Sequence, residues 1–271
     1  MSDAETGGED DGNAARSADF VEALARGLRV LESFTLPESE SQRGRMTLTD
    51  VGRLTGLTRG TARRLLLTLK DMHYVDSDGK LFWLTPRVLR LAEGFRMPIG
   101  LGDRAAALLH ELTRSINESA SVAVLEGESI VYIERVEVRR IYSSRIVNGT
   151  RLPASCSSIG RMLLASQSQE QLDIWLDRYP LPKLTEHTIT DRAAFQAEVE
   201  RIRALGYAII DEELEIGIRS IAVPIVSRAG RVVAALNAST STARHRTQDL
   251  REVFLPELRR TAAALAENMD W

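Results

Sequence analysis

Apolar residues recur every three or four positions from residue 19, and this spacing predicts an amphipathic helix that ends near Phe34. The apolar positions of that helix are Phe20, Leu24, Leu28 and Leu31. Before it, residues 1–18 are rich in glycine and acidic residues and predict a disordered tail. After it, residues 36–45 contain a proline and a glycine among polar residues and predict a loop.

Two short helices follow this loop. Thr47 and Asp50 have the spacing of a capping box, with Asp in place of the usual Glu, and Gly56 stops the helix that they open. Thr58 can cap the next helix, which the pattern extends to about Met72. The apolar positions of this second helix are Ala62, Leu65, Leu66 and Leu69.

Two β-prone runs, residues 74–77 and 81–84, flank the turn signal Asp78-Gly79. Helix, short helix, tight turn, helix and two-stranded hairpin is the element order of a winged helix-turn-helix. This order predicts a DNA-binding domain over residues 19–85. A linker helix over residues 86–102 follows, with its end near Gly100.

Charge along the chain agrees with this interpretation. The whole chain has a net charge of −3, but residues 42–70 contain seven basic side chains and a single acidic one, Asp50. A local basic patch can bind phosphate while the rest of an acidic chain stays soluble. The alternatives are that Arg63 and Arg64 only face solvent and that Thr58 is only a cap.

Residues 103–271 predict a second, α+β domain with six strands flanked by helices. The strands are expected at residues 119–125, 129–136, 140–147, 207–211, 220–226 and 232–239. A loop is expected at residues 148–153. Helices are expected at residues 103–115, 158–165, 169–178, from a Thr190 cap to Leu205, and from Thr247 onwards.

Several classes of chemistry have no motif in this sequence. The four histidines are far apart, so no metal or cofactor is expected, and no nucleotide-binding or hydrolase motif is present. No apolar run is long enough to span a membrane, and no secretory signal is visible. Cys156 is the only cysteine, which fits a reducing cytoplasm. It precedes a helix, so a thiolate nucleophile is one interpretation and a small buried residue the other.

Two polar segments of the second domain could bind a ligand. Small hydroxyl residues lead into the helix that starts near Ser158, where backbone N–H groups favour an anion such as a carboxylate. A plain helix cap by Ser157 or Ser158 explains the same residues. The second group is Ser220, Asn237 and Ser239, of which the last two share one strand face. A face turned to solvent is its alternative.

The sequence resembles the IclR-type bacterial transcriptional regulators from Phe20 to Met269. The residues that carry the resemblance are FVEALARGLRVLESF, LTDVGRLTGLTRGTARRLLLTLKDMHYV, RLPASCSSIGRMLLA and GYAIIDEELEIGIRSIAVPI. The segment INESASVAVLEGESIVYIERV and the loop NGTRLPASCSSIGR are most similar to the branch that responds to protocatechuate and 4-hydroxybenzoate.

This resemblance implies a winged helix joined to a GAF-like effector domain, in a homodimer or homotetramer. It implies that the backbone amides of Ser158 and Ile159 hold the effector carboxylate and that Ser220, Asn237 and Ser239 add polar contacts. Some family members that bind small keto acids have an acidic residue where this chain has Ile210, so the pocket here is expected to be more apolar. Strand alternation indicates four residues that could line the aromatic ring of the effector: Tyr142, Leu125, Ile133 and Ile218. Arg145 is a further candidate to bind a ring hydroxyl.

The leading hypothesis is a cytoplasmic, ligand-responsive regulator that binds double-stranded operator DNA. Its expected DNA-binding residues are Thr47, Thr58, Arg59, Thr61, Arg63, Arg64 and Lys80. Its expected effector is a small aromatic carboxylate, and the genes that it is expected to control are those of aromatic catabolism. The alternatives are a regulator that responds to an aliphatic keto or sugar acid, and an enzyme that uses Cys156.

Overall fold

A computed structural model describes residues 19–36, 44–94, 101–138 and 146–267. The chain folds as two compact units that divide between Arg96 and Met97. The tail predicted for residues 1–18 lies outside the described residues, as does most of the loop predicted for residues 36–45. The exact domain and linker boundaries stay a prediction.

The N-terminal unit contains three helices packed on a small sheet. The helices are α1 (Glu22–Ser33), α2 (Leu48–Thr55) and α3 (Arg59–Asp71). The strands are β1 (Arg45–Thr47), β2 (Val75–Ser77) and β3 (Leu81–Leu84). Their order is β1-β3-β2, all antiparallel, so the wing is a three-stranded sheet and not the predicted two-stranded hairpin. The sequence pattern missed β1 because three residues are too few to show a period.

The capping chemistry predicted for α2 and α3 is present. Thr47 and Asp50 form the reciprocal capping box of α2, and Gly56 ends that helix with a left-handed backbone, φ 67°. Thr58 caps α3 through the backbone N–H of Thr61. A short 3-10 turn, Pro86–Val88, and helix α4 (Leu89–Gly94) close the described part of this unit.

The apolar face predicted for α1 is wrong in one respect. Phe20, Leu24 and Leu28 are 46%, 62% and 48% exposed, whereas Val30 and Phe34 pack into the core. Both sets fit a helical period, so the period alone cannot tell which of two apolar stripes faces the core. The unit therefore leaves a row of large apolar side chains on the outer face of α1.

The C-terminal unit is an antiparallel sheet of six strands in the order β6-β5-β4-β9-β8-β7. The strands are β4 (Ser119–Glu126), β5 (Ser129–Val136), β6 (Arg151–Pro153), β7 (Ala208–Asp211), β8 (Ile218–Val226) and β9 (Val232–Ser241). The α+β class and the six-stranded antiparallel sheet are thus confirmed. Most of the strand predicted at residues 140–147 lies outside the described residues. Residues 146–150 are not in a strand, residues 139–145 lie outside the described residues, and β6 forms from the predicted loop.

Helices cover both faces of this sheet. One face packs against α5 (Leu101–Ile116) and the C-terminal segment, which runs through α9 (Thr247–Asp249), a π-helical turn (Leu250–Phe254) and α10 (Leu255–Ala266). The other face packs against α6 (Ser158–Ala165), α7 (Gln169–Arg178) and α8 (Arg192–Leu205). The cap of α8 is Asp191 and not the predicted Thr190, because the Asp191 carboxylate accepts from Ala194 N at 2.8 Å.

Candidate functional site

A groove of about 590 Å³ lies between α3 and the wing sheet of the N-terminal unit. Its lining includes four basic side chains, Arg59, Arg63, Lys70 and Lys80. Lys70 ties α3 to the wing, since its Nζ donates to Ser77 O at 3.2 Å and lies 3.7 Å from the Asp76 carboxylate. Within the described residues, no ion pair engages Arg59, Arg63 or Lys80, so these three charges are available to phosphates.

The tip of the wing is held by Asp78. Its Oδ1 accepts from the backbone N–H groups of Lys80 at 2.9 Å and Leu81 at 2.8 Å, and Gly79 supplies a positive φ of 97°. The bond from Leu81 and then that from Lys80 lower the pKa of the Asp78 carboxyl below its usual value. The turn thus presents the Lys80 side chain at the edge of the groove.

The threonines predicted to contact DNA are engaged in helix caps. Thr47 Oγ1 donates to Asp50 Oδ2 at 2.7 Å, and Thr58 Oγ1 lies 3.0 Å from Thr61 Oγ1. Arg64 is exposed but does not line the groove. A DNA contact by Arg64 or by any of these hydroxyls stays a prediction.

In the C-terminal unit, two rows of polar side chains cross the sheet on the face that α6 covers. In the first row, Ser121 of β4 is paired with Arg135 of β5 on one side and with Asn237 of β9 on the other. In the second row, Ser220 of β8 is paired with Ser239 of β9 and with Ile210 of β7. Directly opposed residues in an antiparallel sheet share a face. The strand order therefore brings together Ser220, Asn237 and Ser239, as the sequence predicted.

A β-bulge places Arg135 on this face. Ala123 is paired with Tyr132 and its neighbour Val122 with Glu134, so Ile133 is an extra residue in β5. Tyr132 and Arg135 consequently share a face although they are three positions apart. Ile133 packs with the core on the opposite face, so the prediction that it lines the ring is wrong. Burial raises the pKa of the Tyr132 hydroxyl and the nearby Arg135 charge lowers it less.

The start of α6 is buried against the same face of the sheet. Ser157 caps the helix through Gly160 N at 3.1 Å, and Ser158 and Ile159 are 1% and 0% exposed. Neither of these two first-turn amides has an acceptor within the described residues, as expected of a helix N-terminus. The Ser158 hydroxyl is also buried without a partner among those residues. Three hydrogen-bonding groups are therefore free at one buried helix end.

A buried ion pair holds this helix end in place. The Arg161 side chain is fully buried and binds both carboxylate oxygens of Glu213, one of them at 2.8 Å, while its Nε donates to Ser155 O at 2.8 Å. Glu213 also accepts from Ile189 N at 3.0 Å. Gly160 lets the helix approach the preceding turn, since a Cβ there would lie 2.1 Å from Ala154 O. Sequence reasoning missed this support because nothing in the chain marks Arg161 and Glu213 as partners.

The remaining predicted ligand-binding residues are scattered. Ile210 is 2% exposed beside Ser220, so this edge of the site is apolar. Leu125 instead lines a separate cavity of about 760 Å³ with Met162 and Leu163. Ile218 shares the face of Ser220, two residues along β8. Tyr142 and Arg145 lie outside the described residues.

The side chain of Cys156 is not arranged for nucleophilic catalysis. It is 1% exposed, and its Sγ lies 3.4 Å from Ser155 Oγ and 3.8 Å from Pro182 O. Burial is the largest influence on its thiol and raises its pKa, which disfavours the thiolate. Among the described residues, no cluster of metal-ligating side chains and no helix able to cross a membrane is found.

Comparison with known proteins identifies the family. Residues 23–79 match the IclR helix-turn-helix domain, and residues 98–267 match the C-terminal domain of bacterial transcriptional regulators of the IclR type. The chain is 38% identical over 241 residues to the Pca regulon regulatory protein of Pseudomonas putida, covering 89% of this chain and 81% of the relative. It is 35% identical over 255 residues to the p-hydroxybenzoate hydroxylase transcriptional activator of Acinetobacter baylyi, covering 92% of each.

The fold is also similar to a solved structure, an IclR homolog of Microbacterium hydrocarbonoxydans crystallised with 4-hydroxybenzoate. That alignment has a TM-score of 0.78 at 28% sequence identity and covers 91% of this chain and 98% of the other. Both family domains occur in order and together cover most of the sequence. The chain therefore belongs to the IclR family of bacterial transcriptional regulators.

Proposed function

We propose that this regulator binds a small aromatic carboxylic acid of the hydroxybenzoate type in its C-terminal unit and so controls genes of aromatic catabolism in the cytoplasm. The observation that carries the proposal is the buried start of α6, with two free amides and the free Ser158 hydroxyl beside polar rows on the sheet. The 4-hydroxybenzoate complex of the Microbacterium homolog and the name of the Acinetobacter activator support it.

The carboxylate is the group that fits the helix end. At the N-terminus of α6 it accepts charge-assisted bonds from the amides of Ser158 and Ile159 and meets the positive end of the helix dipole. The rest of that face is suited to a ring, because Ala123, Ala222 and Ala235 are small and Ile210 is apolar. A small keto acid has too little apolar surface to use these positions.

In the N-terminal unit, the proposed partner is operator DNA. Helix α3 enters the major groove, and Arg59, Arg63 and Lys80 contact the phosphates that flank it. Arg64, on the outer surface of the same helix, is a further contact.

The active form that we propose is a homodimer or a homotetramer. Leu24 and Leu28 form an exposed apolar pair on α1, and a second copy of the chain is a fitting cover for it. Sedimentation of the full chain measures its mass, and a monomer at every concentration would contradict this part of the proposal.

The chain is proposed to act without catalysing a reaction. Cys156 is the one candidate nucleophile that its sequence offered, and burial raises the pKa of that thiol, which disfavours the reactive thiolate.

Calorimetry on the full chain tests the effector class. We expect 4-hydroxybenzoate or protocatechuate to bind, and the methyl ester of either to bind at least ten times more weakly, because the ester lacks the charge that the helix end recognises. Pyruvate and glyoxylate serve as aliphatic controls. Equal affinity for acid and ester would remove the carboxylate site, and a preference for either keto acid would replace the aromatic effector.

A further inference from the structure

Two buried polar atoms on the effector face have no partner among the described residues. They are Nε of Arg135, on β5, and Oδ1 of Asn237, on β9. Ser121, on the strand between them, is paired with both residues in the sheet register. A buried polar group left without a partner is destabilising, so such atoms call for an explanation.

Part of the hydrogen-bonding capacity of Arg135 is already used. Its side chain is 8% exposed, Nη1 donates to Ser121 Oγ at 2.9 Å, and Nη2 lies 3.6 Å from the Glu137 carboxylate. The guanidinium therefore reaches Ser121 on β4, the strand between β5 and β9, and Glu137 faces its charge. Its Nε–H is buried and has no acceptor among the described residues.

The two unpartnered atoms select a hydroxyl over a second carboxylate. An ionised carboxylate has only acceptor oxygens, so it could satisfy the free Nε–H of Arg135 but not the free Oδ1 of Asn237. It would also bring negative oxygen against the Asn237 carbonyl. A hydroxyl both accepts and donates, so one such group can satisfy the free donor and the free acceptor together.

We propose that Arg135 and Asn237 determine specificity for a hydroxyl group on the effector ring. Arg135 Nε donates to the hydroxyl oxygen, and the hydroxyl donates to Asn237 Oδ1. Ser121 positions the guanidinium between β5 and β9. This inference rests on the proposed function, since it assigns the second polar end of the same ligand.

The test compares 4-hydroxybenzoate with benzoate on full-length variants by calorimetry. Two variants remove the proposed contacts: Arg135→Lys keeps the charge without the planar donor, and Asn237→Leu keeps the size without the amide. Thr113→Val is the matched control, because the Thr113 hydroxyl is buried and unpartnered too, but on α5, which packs on the opposite face.

In the wild-type chain we expect 4-hydroxybenzoate to bind about tenfold more tightly than benzoate, as a hydrogen bond to a charged group contributes about 1.5 kcal/mol. Each of the two variants is expected to reduce that ratio at least fivefold, with the Kd of benzoate changed less than about twofold. Thr113→Val is expected to leave the ratio unchanged.

Three outcomes would overturn the inference. An unchanged ratio in both variants would remove these residues from hydroxyl recognition. An equal loss of both ligands in Arg135→Lys, with melting temperature retained, would make Arg135 the carboxylate site. Binding of neither acid by the wild-type chain would overturn the proposed function as well, which separates that failure from the first two.

A measurement on the wild-type chain covers the case of a variant that does not fold. In a ¹⁵N-labelled sample, the arginine Nε–H signals are recorded with each acid at saturation. We expect one protected Nε–H signal to shift with 4-hydroxybenzoate and to stay in place with benzoate. Identical spectra in the two complexes would contradict the inference.

Discussion

In the N-terminal unit the candidate functional charges are exposed on α3 and the wing, whereas in the C-terminal unit the candidate ligand contacts lie on a covered sheet face. Arg59, Arg63 and Lys80 are exposed in their groove, but Arg135 and Asn237 are more than nine-tenths buried. A phosphate backbone is large and external, so its contacts stay in water until DNA arrives. A small effector is bound inside the fold, so its contacts must be held there in advance.

The two units also differ in what holds their functional side chains in place. The exposed cations are positioned by a capped helix and a turn. Thr58 caps that helix and Asp78 holds that turn, in both cases through hydrogen bonds to residues two or three positions away. The effector face needs long-range support, which the Arg161–Glu213 pair provides across 52 residues of sequence. Substitutions that look alike should therefore have very different effects in the two units.

The largest expected difference concerns arginines. Arg161→Met leaves the buried Glu213 carboxylate uncompensated and should lower the free energy of unfolding of the C-terminal unit by about 3–5 kcal/mol. Arg29→Met removes an exposed pair with Glu22 at 3.2 Å and should change stability by less than about 0.5 kcal/mol. Urea unfolding followed by the fluorescence of Trp83 and Trp175, one in each unit, measures both. A similar, small change in both variants would contradict the support assigned to Arg161.

A smaller contrast is expected between two helical glycines. In Gly160→Ala the new Cβ would lie 2.1 Å from Ala154 O, and the forced shift should destabilise the C-terminal unit by about 3 kcal/mol. In Gly60→Ala on α3 the new Cβ meets nothing within 4 Å, so helix propensity should stabilise the N-terminal unit by about 0.5–1 kcal/mol. Thermal melts of the two variants decide this, and a harmless Gly160→Ala would refute the close approach.

The smallest expected effect is on DNA affinity. Arg63→Ala and Arg64→Ala should each weaken operator binding by about 1 kcal/mol. Each should also reduce the magnitude of the negative slope of log K for DNA binding against log salt concentration by about 0.9. Lys183→Ala, which removes an exposed charge from the C-terminal unit, is the matched control and should leave the slope unchanged. Titrations at several salt concentrations measure it, and slopes equal to the wild-type value would mean that both arginines only face solvent.

Local sequence signals predicted much of the fold correctly. The capping box at Thr47 and the cap at Thr58 act within one helical turn, so the residues that make them are neighbours in the sequence. Helix α6 spans residues 158–165 as predicted, because Ser157 and the apolar period mark it directly. Asn237 and Ser239 lie on one sheet face for a similar reason, since alternation along a single strand is also local, whereas Ser220 joins them only through the pairing of β8 with β9.

The predictions that were wrong depended on distant partners. Strand β6 has three residues and forms because β5 offers an edge with which Arg151–Pro153 can pair. The predicted positions Leu24 and Leu28 of α1 have the right period but are 62% and 48% exposed, whereas Val30 faces the core. Ile133 faces the opposite core because one extra residue in β5 reverses the alternation that the sequence implied.

By itself the sequence determined most of the helices, the caps at Thr47, Thr58 and Ser157, the basic face of α3 and the alternation of polar residues along the last strand. All of these follow from interactions between residues a few positions apart. Only the tertiary structure decided that Arg135 contacts Ser121, and that Arg161 pairs with Glu213 at the helix end. Strand order and a bulge make the first of these contacts. Both are set by the burial of whole sheet faces, a free energy to which residues from the entire unit contribute.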